Sequence, residues 1–509
     1  MKHQSGEFKK EEILEYLKTL EARIARIESV LSLPPWESVS TREKKEMDKV
    51  SAKEEVKAES ESLEFQIGEF WFAKVGIVVL VMGIAFLLTL PYHNLPPIWP
   101  IVIGYVLVGV LFLFSHLWRN SLSLLSRYLM GGGLVLMYFT TMRLYYFSSN
   151  PILTSKPVEL TLLLLVTAFT LYIALRRSSV YLASLALTMG YVSAIVSDYS
   201  YFLFILLTIL AVVTVYLMRK YEWYGLYIFS ICANYLTHFI WFLNNPFLGK
   251  KLQLVSSPQA NIYFVLLYLL IFALANLYRR KDLPETNLVI MSTFLTSVGG
   301  YFLYFLITFL KFTEQMAFSH ILASVIFLVL AILFWLREKS RYSTFFYAML
   351  GYGALSVAIL AQFSFQDSFI WLCWQSVLVI TTAIWFRSKF IIVANFGIYV
   401  LLFLAYLLIV QEVQVSSLNF GIVAMLSARI LNWQREKLEL KTEMMRNAYL
   451  VMAFFIFPYI LYQIVPGGYV ALSWIGVTLV YYLLSLLLKN EKYRWMALFN
   501  LLLTVLYVF

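Results

Sequence analysis

Asn234 and His238 lie four residues apart in an otherwise apolar stretch. On a helix that spacing sets both side chains on one face. In an apolar surrounding such a pair lines a polar path or relays protons, or it only hydrogen-bonds to neighbouring helices. A second unusual group runs from Arg127 to Glu159. Arg127 and Arg143 flank Gly131, Gly132 and Gly133, and each glycine weakens a helix by about 1 kcal/mol relative to alanine. Three in a row either let two backbones approach closely or permit a broken helix around a substrate. Glu159 is the nearest acid to Arg143 along the chain, and a structural Arg143–Glu159 pair competes with a functional one.

Other chemistry is sparse. Cys232 and Cys373 sit inside apolar stretches and read as small hydrophobes. His93, His116 and His320 are isolated, without metal-ligand spacing. No phosphate-binding glycine loop precedes Lys-Ser or Lys-Thr, and neither Gly-x-Ser-x-Gly nor His-Glu-x-x-His occurs. These residues imply no cofactor, no metal and no catalytic residue.

The elements that must position these residues are set by composition. The chain is 61% apolar and 14% charged, outside the range of a soluble domain. About 16 of its 29 acids fall in the first 70 residues, which leaves the remainder basic by about 15 charges. The basic residues stand singly or in short clusters between apolar stretches, so the surplus fits the positive-inside bias of membrane proteins rather than nucleic-acid binding. The bilayer is the expected partner. No cleaved signal peptide is expected at the N-terminus, so insertion falls to the apolar stretch between Leu63 and Leu90.

Three regions follow: 1–33, an amphipathic helix; 34–62, a charged flexible linker; and 63–509, a polytopic helical membrane domain. In the first, Ile13, Leu17, Leu20, Ile24, Ile27 and Leu31 recur in alternating steps of 4 and 3, which is heptad spacing. Self-association as a coiled coil and a lone amphipathic helix both fit. Pro34 and Pro35 end the helix, and the Lys-, Glu- and Ser-rich stretch after them cannot bury enough to pack.

In the third region, a helix needs about 20 apolar residues to cross the hydrocarbon, and the chain divides into roughly 17 such segments. With the N-terminus in the cytoplasm, about 22 Lys and Arg fall in cytoplasmic turns, against about five outside. The five are Arg143, Lys156, Lys250, Lys251 and Lys311. The expected fold is an all-α polytopic membrane protein of successive antiparallel hairpins, behind a short cytoplasmic coiled-coil helix. The C-terminus is expected outside, and the bacterial inner membrane is the expected location. Basic pairs recur at intervals of about 43 to 60 residues; true duplication and simple topology both produce that pattern.

Three groups of residues carry a family resemblance. The first is Gly68, Trp71, Lys74, Gly76 and Gly83; the second is the run from Arg127 through Gly131-Gly132-Gly133 to Tyr138; the third is Leu164 to Arg177 with the following Leu185 to Gly190. Over residues 10–245 the chain resembles the bacterial predicted membrane proteins grouped as DUF2339. Members usually carry Gly-Gly and Pro near Gly190; here Met189 precedes a single glycine, and Ser193 or Ala194 stands at the proline position. The resemblance implies membrane location and helical architecture. The family has no settled activity, so it implies no chemistry.

Two function classes remain in view. The first is a non-enzymatic membrane protein, transporter-like or a lipid-handling scaffold of the cell envelope. The alternative is a membrane-embedded transferase acting on a lipid-linked substrate at the outer face, suggested by Glu159, Asp198, Glu314, Asp367 and Glu412. The first outer loop, Pro91–Pro97, carries no acid, which argues against the alternative.

Overall fold

A computed structural model describes residues 73–89, 96, 98–147, 151–277, 286–338, 340–410, 413–433 and 442–509, with isolated positions between 15 and 27. Among the described residues the chain is helical, with no strand. In order the helices are α1 (Ala73–Thr89), α2 (Ile98–Leu117), α3 (Ser123–Met142), α4 (Lys156–Arg176), α5 (Val180–Ser197), α6 (Ser200–Tyr221), α7 (Tyr224–Phe242) and α8 (Asn261–Leu277). Next come α9 (Asn287–Phe294) and α10 (Gly300–Lys311), joined by a π-helical turn at Leu295–Gly299 into one rod. The rest are α11 (Met316–Leu333), α12 (Arg341–Gln362), α13 (Phe365–Trp385), α14 (Lys389–Ile409), α15 (Leu418–Trp433), α16 (Thr442–Ile464), α17 (Gly467–Leu488) and α18 (Glu491–Val508).

Each of the apolar segments expected from the sequence coincides with one rod. Among the described residues, 13 are long and apolar enough to cross a membrane. The apolar parts of α1 and α8 are shorter. In α3 the glycines, hydroxyls and Arg127 dilute the apolar content, and α18 carries Glu491, Lys492 and Arg494.

The turns have a recurrent local cause. After Arg176-Arg177, Lys339 and Arg387 a serine begins the next helix. Ser179, Ser340 and Ser388 accept hydrogen bonds from the amides of Leu182, Ser343 and Ile391. A serine oxygen there satisfies a donor that the first turn cannot pair. Ser178 and Arg387 take the left-handed conformation that reverses the chain in a few residues.

The chain divides into two compact units, 1–140 with 147–150, and 141–146 with 151–509. In the first, α3 runs unbroken through Gly131, Gly132 and Gly133, all buried. A Cβ on Gly132 would lie 2.9 Å from Ile77 Cγ2 of α1, and one on Gly133 2.7 Å from the Phe112 ring of α2. The glycines therefore serve close packing of three helices, and the helix does not open around a substrate. Of the heptad residues, Leu20 and Ile27 are helical and exposed. Ile13, Leu17, Ile24 and Leu31, and the linker 34–62, lie outside the described residues.

In the second unit, chain neighbours pack most closely: α4 on α5, α11 on α12, α15 on α16 and α17 on α18. Buried tyrosines clasp other pairs: α7 to α8, α8 to α6, α10 to α11 and α14 to α15. Tyr227 donates to the Phe272 carbonyl at 2.6 Å, Tyr268 to Phe204 at 3.2 Å, Tyr304 to Ser319 at 2.7 Å and Tyr399 to Phe420 at 2.7 Å. A helical carbonyl keeps a lone pair beyond its helical bond, and the phenol fills it.

Gly133→Leu is expected to lower stability by about 1–3 kcal/mol, the usual cost of overpacking, and to lower the melting temperature of the purified protein in detergent. An unchanged melting temperature would mean that α2 and α3 are not in this contact.

Candidate functional site

Among the 13 helices long and apolar enough to cross a membrane, α7 is the most buried, at 61%, and α17 the least, at 17%. Yet α7 is rich in polar residues. Tyr227, Ser230, Asn234, His238, Trp241 and, just past its end, Asn245 follow one another in steps of three or four. Within α7 that spacing puts the first five on one face; Asn245 follows the helix in a left-handed conformation, and all six are buried. They form a polar seam along the helix, facing α5, α6 and α8.

Hydroxyls dominate one end of the seam. Ser230 Oγ lies 2.5 Å from Tyr191 Oη of α5 and 2.7 Å from Thr214 Oγ1 of α6. One turn on, Asn234 Nδ2 donates to the Leu207 carbonyl at 3.0 Å, while its Oδ1 has no partner. The next position is His238, which is 0% exposed. Its ring stacks on Phe204 at 5.1 Å and meets the edges of Trp241 and Tyr268 at 5.5 and 5.8 Å. Neither ring nitrogen has a hydrogen-bond partner. Trp241 Nε1 then donates to Ser200 Oγ at 3.1 Å.

The seam ends in a charged mouth. Asn245 Nδ2 donates to Asp198 Oδ1 at 3.0 Å, and Lys250 Nζ pairs with Asp198 Oδ2 at 2.6 Å. Asp198 stands past the end of α5 in a left-handed conformation, which aspartate tolerates better than most residues. Burial alone would raise its carboxyl. The hydrogen bonds from Lys250 and Asn245, with the charges of Lys250 and Lys156, outweigh burial and hold it below the usual carboxylate range. Beside this mouth, Tyr146 donates to the Val196 carbonyl at 3.0 Å. Burial, then Tyr145, Glu159 and Asp198, push its phenol up. Lys156 Nζ sits 4.8 Å from the centre of the Tyr199 ring.

Glu159 is in the first turn of α4 and is 0% exposed. The helix dipole favours an acid there, but neither carboxylate oxygen accepts a hydrogen bond. The Arg143–Glu159 pair suggested by the sequence is therefore not formed. Nearness along the chain does not decide where two buried side chains point, and Arg143, 6% exposed, has partners of its own. Arg127 lies exposed in the first unit, its Nε donating to the Ser123 carbonyl at 3.4 Å. Of the candidate polar and packing positions singled out from the sequence, Asn234 and His238 come together in the seam, and Asp198 and Lys250, read only as outer-face charges, close its mouth.

Three features escaped the sequence reading. One is the extension of the Asn234–His238 face to Ser230 and Trp241, which the three-and-four spacing does encode, and then to Asn245, which the left-handed turn after α7 brings to the same end. Another is the π turn at Leu295–Gly299, whose Thr296 carbonyl accepts from Tyr235 Oη at 3.1 Å. A Cβ on Gly300 would lie 2.6 Å from that phenol oxygen, so the Gly299-Gly300 pair was its signal. The third is the setting of His320, which the sequence showed only as an isolated histidine: it is buried against Tyr301, Tyr304 and Phe305, with Nδ1 2.9 Å from the Met316 carbonyl. Among the described residues no group of His, Cys, Asp and Glu is arranged to hold a metal.

A helical protein of many apolar rods, with polar side chains gathered inside one of them, is a multi-pass membrane protein. The model of the predicted membrane protein family DUF2339 matches residues 68–509, and the chain belongs to that family. The match reaches well beyond the stretch that carried the resemblance. A search of curated proteins and one of solved structures gave no match.

Lys250→Gln removes the main stabiliser of the Asp198 carboxylate. The pair is partly exposed, so it contributes about 0.2–1 kcal/mol. A lowered carboxyl stabilises the fold above the ordinary carboxylate range and loses that effect as pH falls through its own value. The variant should melt below the wild type at neutral pH, with the gap closing in acid. Equal melting at neutral pH would mean that the pair contributes nothing.

Proposed function

We propose that the protein is a non-enzymatic, transporter-like component of the cell envelope, and that the seam on α7 is its path. The observation that carries this reading is His238: a fully buried imidazole whose two nitrogens have no protein partner. Groups of that kind are costly inside a membrane, and where they occur they mark ion or proton routes. The cargo that suits the residues is a proton. Asp198 stands at one end, with Glu159 acting on Tyr146 beside it; His238 lies within, and the hydroxyls of Ser230, Tyr191 and Thr214 continue beyond it. Each of these groups can take up and give back a proton, and no bulky polar solute is needed to explain them.

The remaining parts of the reading follow from the sequence. The rods pair as antiparallel hairpins, the basic turns lie in the cytoplasm of a bacterial cell and the C-terminus lies outside. Leu20 and Ile27, apolar yet exposed in a single chain, support self-association of the N-terminal helix as a coiled coil.

A second reading is supported by a recess of about 570 Å³ lined by Ser257, Gln259, Lys311, Glu314 and Gln315. There a transferase would hold a polar headgroup between a base and an acid. The seam is the better candidate because its polar groups are buried rather than solvated.

Purified protein in liposomes loaded with a pH-sensitive dye separates the two. Wild-type protein is expected to collapse an imposed pH gradient about a hundredfold faster than His238→Phe, the low end of what a positioned proton-transfer group contributes. Equal rates would remove the proton path.

A further inference from the structure

We propose that the cleft between α16 and α18 is a binding site for one anionic phospholipid, with its phosphate at Lys492 and an acyl chain along the cleft wall. The cleft encloses about 510 Å³. Its α16 wall is Asn447, Leu450 and Phe454, and its α18 wall is Lys492, Trp495 and Phe499. On each helix these residues follow in steps of three or four, so each wall is one helix face. Asn447 and Lys492 stand together at one end, with Lys492 Nζ donating to Asn447 Oδ1 at 2.7 Å. Beyond them both walls are apolar for about two turns, or roughly 11 Å. A polar end followed by a long apolar slot has the shape of a lipid, and it suits no water-soluble ligand.

The charge at the polar end selects the headgroup. Lys492 Nζ reaches Glu443 at 2.9 Å, and Arg446 reaches the same carboxylate at 3.0 Å. One acid is thus shared by two cations. Lys489 and Arg494 lie within three residues of Lys492, and the only further acid on that stretch is Glu491. The end of the cleft is therefore net positive. An ammonium has three N–H groups; Asn447 and Glu443 take two, and the side chain is 34% exposed, so the third can meet a phosphate. Both helices also begin at this end, which adds the positive ends of their dipoles. The site is separate from the α7 seam, and its test does not depend on what the seam carries.

The test is native mass spectrometry of the full chain, released from nanodiscs holding equal amounts of phosphatidylglycerol and phosphatidylcholine of the same chain length. Three proteins are compared: wild type, Lys492→Gln and Val451→Trp, the last filling the slot from a wall residue outside the ion-pair network. Wild type is expected to retain one phosphatidylglycerol in preference to phosphatidylcholine. Lys492→Gln should reduce that preference about fivefold, the effect of about 1 kcal/mol for one cation near a lipid surface. Val451→Trp should lose the retained lipid whatever its headgroup, with a melting temperature close to wild type. Equal retention of both lipids by wild type would overturn the proposal. So would an anionic preference that survives Lys492→Gln, or a lipid that survives Val451→Trp. If Lys492→Gln fails to fold, the wild-type preference and the Val451→Trp result still decide.

Discussion

In hydrocarbon no water is on hand to satisfy a polar group, so every such group buried in the spans needs a protein partner or carries a cost. The second lone pair of helical carbonyls is the partner this chain uses most visibly. Tyr227, Tyr268, Tyr304 and Tyr399 each donate their phenol to a carbonyl on another helix. An aromatic ring fills space between two rods while its hydroxyl fixes their register. Packing between apolar helices in lipid gains little from the hydrophobic effect. These clasps, with close approaches such as those at Gly132, Gly133 and Gly300, set which rods neighbour which.

Against that background the exceptions carry meaning. Most polar atoms in the α7 seam follow the rule: Ser230 shares its hydroxyl with Tyr191 and Thr214, and Asn234 finds the Leu207 carbonyl. His238 does not follow it, nor does Glu159 of α4. His238 lies about two turns before Asn245 and the Asp198–Lys250 pair that close the seam, and Glu159 acts on Tyr146 beside that end. Tyr301 and Tyr347 also keep buried phenols without a partner, but a phenol is far from titration at neutral pH, whereas an imidazole and a carboxyl can exchange protons there.

The rods were legible in the sequence because hydrocarbon imposes length and apolarity on each one separately. Asn234 and His238 were legible as a pair for the same local reason: the helical period alone puts them on one face. What a span packs against is not a local property. Apolar helices that look alike all round encode no face, so the Phe204 and Tyr268 walls of the His238 cage, from α6 and α8, could not be read in advance. The Arg143–Glu159 pair failed on the same point, since it assumed that helix ends adjoining in sequence share their side chains. The glycine triplet had two readings, and only the positions of Ile77 and Phe112 chose close packing.

The proposed proton path requires that water reach His238 from the charged mouth of the α7 seam during the working cycle. Cysteine accessibility tests it most directly, in a chain with Cys232 and Cys373 replaced by alanine. A charged, membrane-impermeant thiol reagent is applied to intact cells from outside. The account predicts that His238→Cys is modified, whereas Leu236→Cys, on the face 58% exposed to the surroundings of the bundle, is not. Modification of neither, or of both alike, would contradict it.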